Sequence, residues 1–135
     1  MMKDKFTIST ILPATPEQVF RAWLSSEGHS AMTGSPARIE PRVGGAFTAW
    51  DGYITGKTAA LKPYTHIVQS WRTTEFPEES GDSQIDIVLE PVTGGTKLTL
   101  THTNIPPGQA DSYESGWDES YFQPMKEWFS HRAPK

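Results

Sequence analysis

The chain is 135 residues long and sets 12 basic against 16 acidic residues, a net charge of −4, so no basic surface able to neutralise a run of nucleic-acid phosphates is expected. Cysteine is absent, which excludes disulfides, thiolate metal sites and thiol nucleophiles. Mean hydropathy is −0.51, and the N-terminal segment has no apolar run long enough for a signal peptide or membrane span, so the expectation is one folded, cytoplasmic domain over residues 1–135.

The first element is a strand rich in Thr and Ile, Phe6–Leu12, closed by Pro13. A helix follows at once. Thr15 suits the N-cap, Pro16 the first helical position and Gln18 the reciprocal half of a capping box. Val19, Phe20, Trp23 and Leu24 share one face of it, and a second short helix is expected over Ser26–Met32 before Thr33-Gly34-Ser35-Pro36.

Helical periodicity then gives way to six short β segments, Arg38–Pro41, Ala46–Trp50, Tyr53–Leu61, His66–Arg72, Gln84–Glu90 and Thr96–Thr103. Val43-Gly44-Gly45, Asp51-Gly52 and Gly94-Gly95 supply hairpin turns, and Lys62-Pro63 supplies another. The acidic stretch from Glu75 to Asp82 reads as a mobile loop. Connections this short favour an antiparallel meander. Beyond Ile105-Pro106-Pro107-Gly108, the residues Tyr113, Trp117, Tyr121, Met125 and Trp128 recur at helical spacing, with Phe122 and Phe129 off the stripe as a flank for self-association. Gly116 and Pro124 interrupt this long helix, and Pro124 should bend it or delay its start.

The order implies an α+β fold in which a curved, seven-stranded antiparallel sheet wraps around the C-terminal helix, with two short helices after the first strand. Keeping charge in water decides the strand faces. Leu98, Leu100 and His102 turn inward, as do Ile85, Ile87 and Leu89, Ile67, Gln69 and Trp71, and Ile54, Gly56, Thr58 and Ala60.

The chain has five Trp, four Tyr and six Phe, rings that can enclose a cavity between sheet and helix. Its candidate lining is Trp23 and Met32 from the short helices, Ile54, Gln69, Trp71, Ile87, Leu100 and His102 from the sheet, and Trp117 and Tyr121 from the long helix. His102, Gln69 and the Tyr121 hydroxyl are its polar points. No catalytic residue is assigned, although His102 is the proton-transfer candidate if an enzyme is present. His29, His66, His102 and His131 have no metal-site spacing, and the glycine pairs precede strands rather than helices, so neither metal nor cofactor is expected.

The segments VGGAFTAWDGYITGK, HIVQSWR, GGTKLTLTHTNIP and ESGWDESYFQPMKEW together resemble the family named after the activator of the ninety-kilodalton heat-shock chaperone's ATPase. The chain looks like a single-domain form of that family's C-terminal module, within the START-like superfamily of the birch-pollen allergen, lipid-transfer domains and polyketide cyclases. The resemblance implies a helix-grip fold. With the ring-rich lining, the leading expectation is non-enzymatic binding of a small hydrophobic or amphipathic molecule in the cavity; the alternatives that the resemblance implies are a protein-interaction module with a chaperone partner and a polyketide cyclase-like enzyme. A monomer and a homodimer are both compatible with it.

Overall fold

A computed structural model describes residues 4–132. β1 (Asp4–Leu12) is followed by α1 (Pro16–Leu24) and α2 (Ser26–Thr33), then β2 (Arg38–Ile39), β3 (Ala46–Ala49), β4 (Ile54–Lys62), β5 (His66–Thr73), β6 (Ser83–Val92) and β7 (Gly95–Ile105). The C-terminal helix comprises α3 (Ala110–Trp117), a π-helical turn (Asp118–Phe122) and α4 (Gln123–Arg132) without a break. All seven strands form one antiparallel sheet in the order β1-β7-β6-β5-β4-β3-β2. It is the expected helix-grip arrangement.

Local chemistry explains the boundaries. The capping box at α1 closes in both directions, with Gln18 N–H donating to Thr15 Oγ1 at 3.1 Å and Thr15 N–H to Gln18 Oε1 at 2.8 Å. Ser25 caps α2 through Gly28 N–H at 3.0 Å, and Gly34 ends it in the left-handed region at φ 78. From α2, Ser26 and Ser30 accept the backbone N–H groups of Ile39 and Ala37, so hydroxyls satisfy donors along the outermost strand.

The inner faces of β5, β6 and β7 follow the alternation: Ile67, Gln69, Trp71, Ile85, Ile87, Leu89, Leu98, Leu100 and His102 are all buried. β4 departs from it. A register shift between Thr58 and Ala60 turns Ala60 to solvent and brings Leu61 toward the core, so the expected inward position of Ala60 is corrected by a bulge. Gly56 on the same strand is required by close approach. A Cβ there would lie 2.0 Å from the Ser70 carbonyl oxygen and 2.7 Å from the Phe47 ring. Gly56→Ala should therefore cost about 1–3 kcal/mol, as overpacking does. An unchanged denaturation midpoint would show that the strand shifts freely.

The π turn accounts for another difference. Pro124 has no N–H to offer the carbonyl of Ser120, and Gln123 N–H donates instead to Asp118, five residues back. The wider turn retards the helix face. The buried series Tyr113, Trp117, Tyr121 therefore continues as Phe122, Met125 and Phe129, while Trp128 is half-buried. Phe122 and Phe129 are core residues rather than an exposed flank for self-association.

The 75–82 loop is also more organised than its composition suggests. Arg72 donates to Ser80 O at 2.9 Å and Pro77 O at 3.0 Å and pairs with Asp82 at 2.8 Å. Its guanidinium lies over Phe76, which is buried against Trp71 and Tyr113. One cation gathers the whole loop.

Candidate functional site

Rings occupy the space between sheet and helix. Trp117 of α3 stands 5.6 Å from Trp71 of β5, 6.1 Å from Trp23 of α1 and 4.8 Å from Tyr121 in the π turn, measured between ring centres. All four are buried. Ring contacts at these distances and tilts supply packing energy beyond simple area burial.

The polar points expected in a cavity are bonded within this core. Trp117 Nε1–H donates to His102 Nδ1 at 3.1 Å, which makes Nδ1 an acceptor and puts the ring proton on Nε2. Nε2–H then donates to Ser83 Oγ at 2.8 Å, and the Ser83 hydroxyl donates to the Trp71 carbonyl at 2.6 Å. His102 is wholly buried, and burial pushes its pKa down to about 3. It is a neutral group with both nitrogens engaged inside the core.

His29 uses the opposite tautomer. Nδ1–H donates to the Trp23 carbonyl at 2.9 Å, so Nε2 accepts from the Tyr121 hydroxyl at 2.8 Å. Burial lowers the His29 pKa, and burial raises that of Tyr121. Gln69 accepts from Trp23 Nε1–H at 3.0 Å and donates to Thr58 Oγ1 at 3.2 Å, which satisfies its buried amide internally. Ile87 and Leu100, paired across β6 and β7, are sealed in the same core as Met32.

Space opens beside this ring file. A cleft of about 490 Å³ lies between the β3–β4 turn, the start of the 75–82 loop and α3 with its π turn. Of the ten candidate residues, Ile54, Trp71, Trp117 and Tyr121 reach it; Trp23, Met32, Gln69, Ile87, Leu100 and His102 do not. Trp50, Tyr53 and Glu75 were absent from the candidate set, as were Tyr113 and the small residues Ser112, Gly116 and Ser120. The spacing of those three, every fourth residue beside the aromatic stripe, was a sequence signal for an open helix face.

Trp50 forms one wall from an unusual backbone. Its φ of 52 lies in the left-handed region, as do Asp51 at 56 and Gly52 at 92. For a bulky residue this costs on the order of 1–3 kcal/mol. The turn is held by Asp51 N–H to the Pro36 carbonyl at 2.9 Å and Tyr53 N–H to Trp50 O at 3.1 Å, which sets the indole edge-on to Tyr121.

At the opposite rim the Tyr53 hydroxyl bonds to Glu75, and burial followed by that bond pushes the Tyr53 pKa up to about 12. Tyr113 donates to Gln109 at 2.6 Å and shares a 2.7 Å bond with Thr73. The cleft thus offers rings, hydroxyls and one carboxylate. Among the described residues there is no cluster of His, Asp and Glu able to hold a metal. Among the described residues no helix is long and apolar enough to cross a membrane.

Comparison with known proteins places this architecture. The model of the family described as Activator of Hsp90 ATPase homolog 1-like protein matches residues 13–130. The human protein described as activator of 90 kDa heat shock protein ATPase homolog 1 is 30% identical over 129 residues, covering 96% of this chain and 38% of the human one. A homologue from Dictyostelium discoideum is 27% identical over 134 residues, 98% of this chain and 33% of its own. The chain therefore spans well under half the length of these relatives. Among solved structures, an HSP90 activator from Plasmodium falciparum superposes with a TM-score of 0.86 at 25% identity, covering 96% of this chain and 97% of that one. An Aha1 dimer from Colwellia psychrerythraea shares the fold at a TM-score of 0.75 and 17% identity, covering 90% and 93%.

Proposed function

The chain belongs to the Activator of Hsp90 ATPase homolog 1-like family, and from that premise we propose that it is a protein-interaction module that docks on an Hsp90-type chaperone and modulates its ATPase. The observation that carries this reading is the match with the Plasmodium structure described as an HSP90 activator, which covers 96% of this chain and 97% of that one. The ring-filled core is consistent with it, because a rigid module presents a fixed surface at little ordering cost. Calorimetric titration with the Hsp90-type chaperone of the same organism should give saturable binding in the micromolar range. Absence of any binding heat with both proteins at about 100 μM, where even a weak complex of Kd ~10 μM forms, would end this reading.

The cleft favours a second reading, capture of a small amphipathic molecule at the side of the helix rather than beneath it. Its volume of about 490 Å³ suits a drug-sized ligand, and its ring walls with few polar groups have the usual chemistry of such sites. Catalysis has less support, since His102 lies outside the cleft with both nitrogens bonded.

A further inference from the structure

Among the described residues, six aromatic side chains line the cleft, Trp50 and Tyr53 partly exposed and Trp71, Tyr113, Trp117 and Tyr121 almost wholly buried, and its single formal charge is the carboxylate of Glu75. No lysine, arginine or histidine lines it. Glu75 has no ion-pair partner among the described residues and accepts from the Tyr53 hydroxyl through Oε2. This is the chemistry that recognises organic cations: ring faces carry negative potential toward an ammonium, and one carboxylate supplies the countercharge. A neutral apolar ligand would gain nothing from Glu75, and an anionic one would be repelled by it.

We propose that the cleft selects a small organic ammonium compound with an apolar body, its cationic head held by the aromatic walls near Glu75 and its body lying along α3. The proposal rests on the ligand-capture reading above and adds the charge of the ligand. Two features of the wall fit it. Trp50 is held in a costly backbone conformation that presents its indole to the cleft, so the wall is fixed before any ligand arrives. On the facing helix, Ser112, Gly116 and Ser120 leave space, and a Cβ added at Gly116 would meet no atom within 4 Å.

The test compares choline with its uncharged carbon isostere, 3,3-dimethyl-1-butanol, titrated into the full chain while the tryptophan indole N–H signals are followed by NMR. Choline should bind at least about fivefold more tightly, consistent with the modest size of cation–ring attraction plus one charge. Glu75→Gln, an exposed change that still accepts from Tyr53, should bring the two affinities within about twofold. Gly116→Leu should abolish binding of both compounds by filling the cleft. Equal affinity for the two compounds in the unmodified chain would overturn cation selection while leaving ligand capture standing. Shifts from neither compound would overturn both. Choline binding unaltered in Glu75→Gln and Gly116→Leu would place the ion elsewhere and also overturn the proposal.

Discussion

Trp117→Ala is expected to destabilise the protein by about 3–5 kcal/mol, the range for removing a large buried ring. The side chain is 3% exposed and contacts the rings of Trp23, Trp71 and Tyr121, so its loss opens a void where three elements meet. It also strips His102 Nδ1 of its donor. Trp117→Phe separates the two effects: most of the ring volume stays, and the cost should fall to about 1–3 kcal/mol for the unmet acceptor and the smaller ring. Guanidinium denaturation of both variants measures this. A loss under about 1 kcal/mol for Trp117→Ala would contradict a core held together by this ring.

Acid is expected to be nearly as damaging, because two histidines are buried as neutral acceptors. In the unfolded chain each titrates near 6.5, whereas burial holds His102 at about 3 and lowers His29. Between those values the unfolded state binds more protons than the folded one, so stability rises with pH there. The contribution is fully present above about pH 6.5 and falls as the medium becomes more acidic, by up to ~1.4 kcal/mol per pH unit for each histidine. Denaturation midpoints at about pH 7.5, 6 and 5 should therefore decline, and His102→Gln should make the decline shallower. Midpoints that do not move across this range would show that protonated histidines are tolerated in the core.

Where the chain's own residues dictated structure locally, the sequence was readable. Thr15, Pro16 and Gln18 carry a helix start in their side-chain chemistry, and keeping Arg72 in water left Ile67, Gln69 and Trp71 the inner face. The misreadings came from one-residue irregularities. A bulge after Thr58 turns Ala60 outward, and a π turn ahead of Pro124 rotates Phe122 and Phe129 inward while moving Trp128 toward the surface. Each adds a residue to a repeat and rotates the positions that follow, so Phe129 replaces Trp128 on the buried side while Met125 keeps its place, and no periodicity shows where the extra residue sits.

The candidate site was readable to a smaller extent for a different reason. Gln69 and His102 were correctly expected to point inward, but whether an inward polar group meets a ligand or another side chain depends on partners far away in sequence. Trp23 lies 46 residues from Gln69, and Ser83 lies 19 from His102. Glu75 was hidden by its acidic loop, which only the Arg72 bonds to Pro77 and Ser80 reveal as ordered structure. Gly116 was noticed as a cost to the helix, and its place on the cleft wall supplies the compensation.

The most direct measurement is the steady-state ATPase rate of the same organism's Hsp90-type chaperone as this chain is added, with Trp117→Ala, heated past its unfolding midpoint, as the control. A saturable change in rate with the folded chain, absent with the unfolded control, is the expected result. A rate unchanged at about 100 μM, where a micromolar complex is nearly saturated, would contradict the proposed chaperone function.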